Sequence, residues 1–175
     1  MQPMSIVSDI AGRLDMTRLA AAKAALGAVV LSAVYASQHL GGLRPCALCL
    51  YQRWPWWVAL GLAVLAMALR GHAKLQMAVI GLASMSLLVG AGIAVFHVGV
   101  EQHWWQGLAS CGGVSDIPTT VEALKKQIMS TPVVRCDEVA WSFLGISMAG
   151  YNALISMAAG FGGLYLTWRH GRAAL

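Results

Sequence analysis

Apolar residues run almost without a break through four stretches of this chain, at about Ala24–Leu40, Trp54–Leu69, Gln76–Val98 and Gly145–Trp168. Runs of roughly twenty apolar residues predict helices that cross a membrane. The second run is short as drawn. It reaches the usual length if its helix begins near Pro45, because proline is well tolerated at a first helical position. Pro55 then falls inside that helix, where it removes a backbone hydrogen bond and predicts a kink. Gly27, Gly81, Gly90, Gly92, Gly160, Gly162 and Gly163, with Ser84 and Ser86, are small residues that let membrane helices approach closely.

The polar segments between the runs leave a short loop at about Gly41–Arg53 and a long one at about Gly99–Trp141. In the long loop, Thr119 and Glu122 have the spacing of a capping box. Ile117, Val121, Leu124 and Ile128 recur at helical spacing and give one apolar stripe. A short amphipathic helix is expected there, lying on the membrane surface or packed on the bundle. The expected fold is an all-α membrane protein, a four-transmembrane-helix bundle with that amphipathic helix in the second periplasmic loop. All of it belongs to a single membrane domain over residues 1–175.

Composition moves the picture further from a soluble domain. Of the 175 residues 58% are hydrophobic and 11% charged, against about 25% charged in soluble proteins, and the mean hydropathy is +0.66. The net charge of +5 comes from scattered basic residues with no run among them, so no nucleic-acid partner is expected. These residues read instead as flanks of membrane spans. Residues Met1–Met16 are polar and mixed in charge, and no small-residue cleavage site follows an apolar core. The first apolar run is therefore expected to stay as an anchor.

Four spans put both termini on one side of the membrane. Arg13, Arg18, Lys23, Arg70, Lys74, Arg169 and Arg172 fall on that side, seven basic residues against five on the other: Arg44, Arg53, Lys125, Lys126 and Arg135. The excess orients the termini to the cytoplasm and both loops to the outside. Trp54, Trp56, Trp57, Trp104, Trp105 and Trp141 fall at outer ends of spans and Trp168 at an inner end, as aromatic belts do.

All four cysteines lie in the outer loops, Cys46 and Cys49 in the first, Cys111 and Cys136 in the second. That is the oxidising side in a bacterium. Zinc calls for a second closely spaced pair, and Cys111 and Cys136 are 25 positions apart, so no metal is expected. Structural disulfides suit Cys111–Cys136, which would close a long loop, but suit Cys46–Cys49 poorly. A C-x-x-C pair fits redox chemistry better, because one cysteine can be attacked while its neighbour resolves the mixed disulfide. If "RPCALCLYQR" is helical, Cys49 and Arg53 share a face at i and i+4. A helix N-terminus and a guanidinium would then both favour a Cys49 thiolate. The alternative is an Arg53 that marks the membrane edge by snorkelling.

These features together resemble the disulfide bond formation protein B (DsbB) family. The resemblance rests on "PCALCLYQR" at the head of the second span, the distant loop pair and "WSFLGISM" leading into the last span, and it covers essentially the whole chain. It implies a protein-disulfide oxidoreductase of the bacterial inner membrane. Such a protein reoxidises a periplasmic thioredoxin-like dithiol oxidase (DsbA-type) and passes the electrons to a membrane quinone, ubiquinone or menaquinone. The partner would attack a Cys111–Cys136 disulfide at Cys111, and the electrons would pass to Cys46–Cys49 through a transient Cys46–Cys136 bond. Cys49 would face the quinone and Arg53 would help to hold it.

His97, in "FHVGVEQHWW", is a candidate second quinone contact, able to donate a hydrogen bond or move a proton. The local sequence departs there from the better-known family members, and a hydrogen-bonded interfacial histidine is the alternative. Glu101 would steer a proton or be solvated, and His103 reads as a loop residue. The glycines of "SCGGVSD" suit a docking cysteine that must move.

Three other readings compete. One is a non-catalytic four-helix membrane subunit with structural disulfides. Another is a quinone reductase resembling vitamin K epoxide reductase, which the order of the cysteine pairs argues against. The third is a b-type cytochrome with His39 and His97 as haem ligands.

Overall fold

The computed structural model of the chain describes residues 3–112, 120–122, 125 and 134–173. The described chain is mostly helical: α1 Pro3–His39, α2 Ala47–Tyr51, α3 Arg53–Ala68, α4 Ala73–Glu101 and α5 Met148–Ala173. A one-turn 3-10 helix covers Ala109–Gly112. Of the amphipathic helix expected in the long loop, only Thr120–Glu122 and Lys125 are described, and Ile117, Thr119, Leu124 and Ile128 lie outside the described residues.

Two described helical stretches are long and apolar enough to cross a membrane, Met16–His39 within α1 and Ala73–Glu101. With 16 residues, α3 is about 24 Å long, short of a hydrocarbon core of about 30 Å. The reason is Pro55. Its ring collides with the carbonyl four residues back, that of Tyr51, and it has no N–H to offer that carbonyl. α2 therefore stops at Tyr51, Gln52 forms a joint, and α3 restarts at Arg53. The kink expected from sequence is a break at Gln52, and Pro55 sits in a first turn where its missing N–H costs nothing.

α4 is the central element, packed against α3 and α5, while α1 lies on α3. The contacts are made by small side chains: Ala59, Ala63 and Ala66 of α3 and Ala83, Ala91 and Ala94 of α4 are all buried. At Gly90 a Cβ would meet the Pro55 ring at 3.0 Å, so glycine sets the α3–α4 approach. Ser86 secures it by donating to the Pro55 carbonyl at 3.0 Å. Large apolar residues, among them Val29, Val64, Leu82, Val89 and Phe161, face outward. A shell this apolar is solvated by lipid rather than water. Lys23, one of the flanking charges in the sequence, is buried instead, and its ammonium donates to the Ala159 carbonyl of α5 at 2.8 Å.

The segment read as the start of the last apolar run is a two-stranded hairpin. β1 Ser142–Phe143 pairs antiparallel with β2 Ile146–Ser147, Ser142 opposite Ser147 and Phe143 opposite Ile146. Leu144 and Gly145 both have positive φ, 50° and 78°, the geometry that closes a two-residue hairpin. Ser147 then begins α5, its hydroxyl accepting the Gly150 N–H at 3.1 Å as a helix cap.

Beyond α4, the Trp105 ring covers Gly99 and leaves no space for a Cβ there. The indole N–H donates to the Phe96 carbonyl at 2.9 Å. Gly99→Ala is expected to push this ring off and to cost about 1 kcal/mol or more, as overpacking does. A lower Tm together with red-shifted tryptophan emission would register the change, and an unchanged Tm would count against the packing.

Candidate active site

The site is built where the C-terminal ends of α1 and α4 and the N-terminal end of α3 meet the short helix α2. Cys46 is the N-cap of α2, with φ −77° and ψ 172°, and its sulfur accepts the Cys49 N–H at 3.2 Å. It takes the position that serine or aspartate usually fills. The Cys49 sulfur is 2.7 Å from that of Cys46, and neither cysteine is in a disulfide. His97 Nε2 is 3.6 Å from Cys46 Sγ on the other side.

This arrangement reverses the expected order of acidity. The hydrogen bond that the two sulfurs share holds the Cys46 thiol down at about 4, with His97 adding to it against the opposing effect of burial. The Cys49 thiol is pushed up, first by its bond to Cys46 and then by burial. Of the two sulfurs, Cys46 is the one whose surroundings favour the thiolate. Sequence spacing pointed to a Cys49 thiolate because it set the Arg53 guanidinium one turn from Cys49 near a helix N-terminus.

Arg53 is held by α1. Its Nη1 donates to Gln38 Oε1 at 2.8 Å, and its guanidinium lies 5.1 Å above the Tyr35 ring. Arg53 Nε is buried with no hydrogen-bond partner among the described residues. Arg53, Cys46, Cys49, His97 and Glu101 all border one largely apolar cavity of about 420 Å³. That falls in the range of small-molecule sites, about 300–1,000 Å³.

Cys111 and Cys136 form a disulfide with a Cα–Cα distance of 5.2 Å. Both are buried in one cluster with Cys46, Leu48 and Val100, so the structure brings the two pairs together. Arg135, next to Cys136, makes a two-point ion pair with Asp137 (2.9 and 2.5 Å) and holds its carboxyl down at about 2. Glu101 is also buried and accepts from the Ser147 hydroxyl at 2.5 Å, while its other oxygen is 3.9 Å from His97 Nε2. His103 is exposed in the turn after α4, with φ 58°.

Sequence reading missed the amides. Gln52 Nε2 donates to His97 Nδ1 at 2.7 Å, and Asn152 Nδ2 donates to Gln52 Oε1 at 2.6 Å. A signal was present: an asparagine within an apolar run is costly unless a neighbouring helix satisfies it.

Cys46, Cys49 and His97 also place their donor atoms within 4.8 Å of one another, a set of the kind that holds soft cations. His39 is not in that set. It is exposed and stacks on Tyr35, which removes the haem-ligand pairing with His97.

Relatives of this chain carry the same theme in their names. A disulfide bond formation protein B from Psychrobacter sp. is 30% identical over 148 residues, 80% of this chain and 84% of its own length. The protein of that name from Saccharophagus degradans is 33% identical over 129 residues, 71% of this chain and 75% of its own. An uncharacterized protein from Rickettsia prowazekii is 28% identical over 131 residues, 74% of each chain. No solved structure matches. The family model for disulfide bond formation protein DsbB matches residues 16–166, nearly the whole chain, and the protein belongs to that family.

Proposed function

We propose that this protein is a thiol–quinone oxidoreductase that reoxidises a periplasmic DsbA-type dithiol oxidase and so sustains protein disulfide formation. One observation carries the reading: both cysteine pairs share a buried cluster beside an apolar cavity lined by Cys49, Arg53 and His97. In this reading the chain is a four-span bundle in the inner membrane, with cytoplasmic termini and both cysteine loops periplasmic.

The exchange steps balance in electrons. A partner thiolate attacks Cys111, the Cys111–Cys136 bond breaks, and Cys136 leaves as thiolate. The partner's second thiolate displaces Cys111, and the partner departs as a disulfide. Cys136 then attacks Cys46 of an oxidised Cys46–Cys49 pair and Cys49 leaves. Cys111 resolves the Cys46–Cys136 bond, which restores the loop disulfide and leaves both electrons on Cys46 and Cys49.

A bound quinone would take up two electrons and two protons. The residues present fit such a ligand, since the unpartnered Arg53 Nε needs an acceptor and the cavity is apolar. Arg53 and His97 would hold its oxygens, and Cys49 would supply a proton from its thiol. Mixing the protein with a reduced thioredoxin-like oxidase and a soluble quinone tests the whole reading. Thiol-dependent loss of quinone absorbance is expected, and its absence would sink the proposal.

Two further results are expected. Ordinary thiols lose their thiolate as pH falls below about 8.5, whereas Cys46 keeps its thiolate until about pH 4. Iodoacetamide should therefore alkylate Cys46 of the reduced protein at a nearly level rate from about pH 8 to about pH 5. A tenfold fall per pH unit across that range would contradict the assignment. The same depressed value means the thiolate stabilises the reduced fold above the unfolded thiol's pKa, and that gain is lost as pH falls through about 4. Separately, Gln38→Leu releases the Arg53 head that Gln38 holds. It is expected to raise the quinone KM by about tenfold, the worth of one charge-assisted bond, while partner exchange at Cys111 stays unchanged in stopped-flow traces.

A further inference from the structure

Trp56, Asn152, Gln52 and His97 form one line of hydrogen-bonded side chains from α3 through α5 and the Gln52 joint to α4. Trp56, Gln52 and His97 are buried. The polarity of the line follows from groups that have only one role, so no amide orientation has to be chosen. The Trp56 indole N–H only donates, and it meets an Asn152 side-chain atom at 2.8 Å. That atom must be the oxygen, and the Ser156 hydroxyl donates to it as well, at 3.2 Å. The Asn152 nitrogen therefore faces Gln52 and meets its side-chain oxygen at 2.6 Å.

Gln52 has a second anchor that gives the same answer. Its nitrogen is 3.3 Å from the Leu48 carbonyl, which only accepts. The other hydrogen of that nitrogen points at His97 Nδ1, 2.7 Å away. Nδ1 must then carry a lone pair. On the opposite edge of the ring, Nε2 faces acceptors: Cys46 Sγ at 3.6 Å and Glu101 Oε1 at 3.9 Å. The Cys136 backbone carbonyl faces the ring too.

We propose that Trp56, Asn152 and Gln52 are positioning residues that hold His97 protonated on Nε2 and unprotonated on Nδ1, a fixed donor toward Cys46 and the cavity. A ring held this way presents N–H, not a lone pair, to Cys46 and Cys49, so it favours an anion or a carbonyl oxygen over a metal ion. The tautomer rests on protein groups alone. Its use toward the electron acceptor rests on the function proposed above.

The test is nitrogen NMR of the full chain in lipid nanodiscs, with ring-labelled histidine and no quinone added. The His97 signals are identified by their loss in His97→Gln. A lone-pair resonance for Nδ1 and a protonated one for Nε2 are expected. In Gln52→Glu, recorded at a pH where the new carboxyl is ionised, the side chain can only accept, so the Nδ1 lone-pair resonance should be lost and an Nδ1–H signal gained. In Gln52→Met nothing donates to Nδ1, and both tautomers should appear.

Nδ1–H in the wild type, or an unchanged His97 spectrum in Gln52→Glu, would overturn the proposal. If neither variant folds, the wild-type spectrum still decides. Quinone reduction assayed on the same wild-type sample separates failure here from failure of the proposed function. A purely structural bond would leave the tautomer indifferent to the change from amide to carboxylate.

Discussion

Replacing Cys46 by serine is expected to abolish partner-driven quinone reduction, by about a thousandfold or more, the scale set by removing an activated nucleophile. The loss has two physical sources. The exit pair can no longer form a disulfide, so electrons on Cys111 and Cys136 have nowhere to go. Cys49 also loses the sulfur with which it shares its proton. A serine hydroxyl can still cap α2 by accepting the Cys49 N–H, so the fold should survive, and an unchanged Tm in detergent would show it. The loop disulfide is also untouched, and one round of exchange between Cys111 and a reduced partner should still be seen in a quench experiment. A Cys46→Ser protein that turned over normally would mean that the C-x-x-C pair is structural.

The second large effect concerns the other pair. Cys111→Ser combined with Cys136→Ser is expected to end oxidation of a protein partner while sparing reduction of quinone by dithiothreitol. A small dithiol can attack an oxidised Cys46–Cys49 pair at Cys49, which is only partly buried, whereas in the proposed relay a folded partner works through Cys111. Loss of both activities would mean that the loop pair does more than relay electrons. The double variant also removes a cross-link closing 25 residues. By chain entropy that is worth about 3.5 kcal/mol, to be read as faster proteolysis of the long loop.

Much of this was legible in the sequence because it depends on local pattern. Apolar runs gave the helices, and the sorting of cysteines into two polar segments marked the residues that the structure gathers into one cluster. What escaped were outcomes of geometry over a few ångströms. The helix start at Ala47 depends on Cys46 serving as a cap, and its stop at Tyr51 depends on Pro55, so Cys46 and not Cys49 sits at the helix end. Arg53 found Gln38 and Tyr35, 15 and 18 positions back, across an interface that no periodicity encodes. Gln52 and Asn152 are 100 positions apart, and a single sequence offers no way to pair them. Leu144 at positive φ is equally invisible, since leucine seldom adopts that conformation.

The burial of the loop disulfide has a kinetic consequence. Cys136 is fully enclosed and Cys111 is 7% exposed, yet disulfide exchange needs an attacking sulfur in line with the bond it breaks. Stray small thiols meet almost no target, however favourable their potential. A docked protein can lift the segment and present its own thiolate in the same encounter. Electrons would then be admitted according to who can open the cover, so selectivity would lie in a rate and not in an equilibrium.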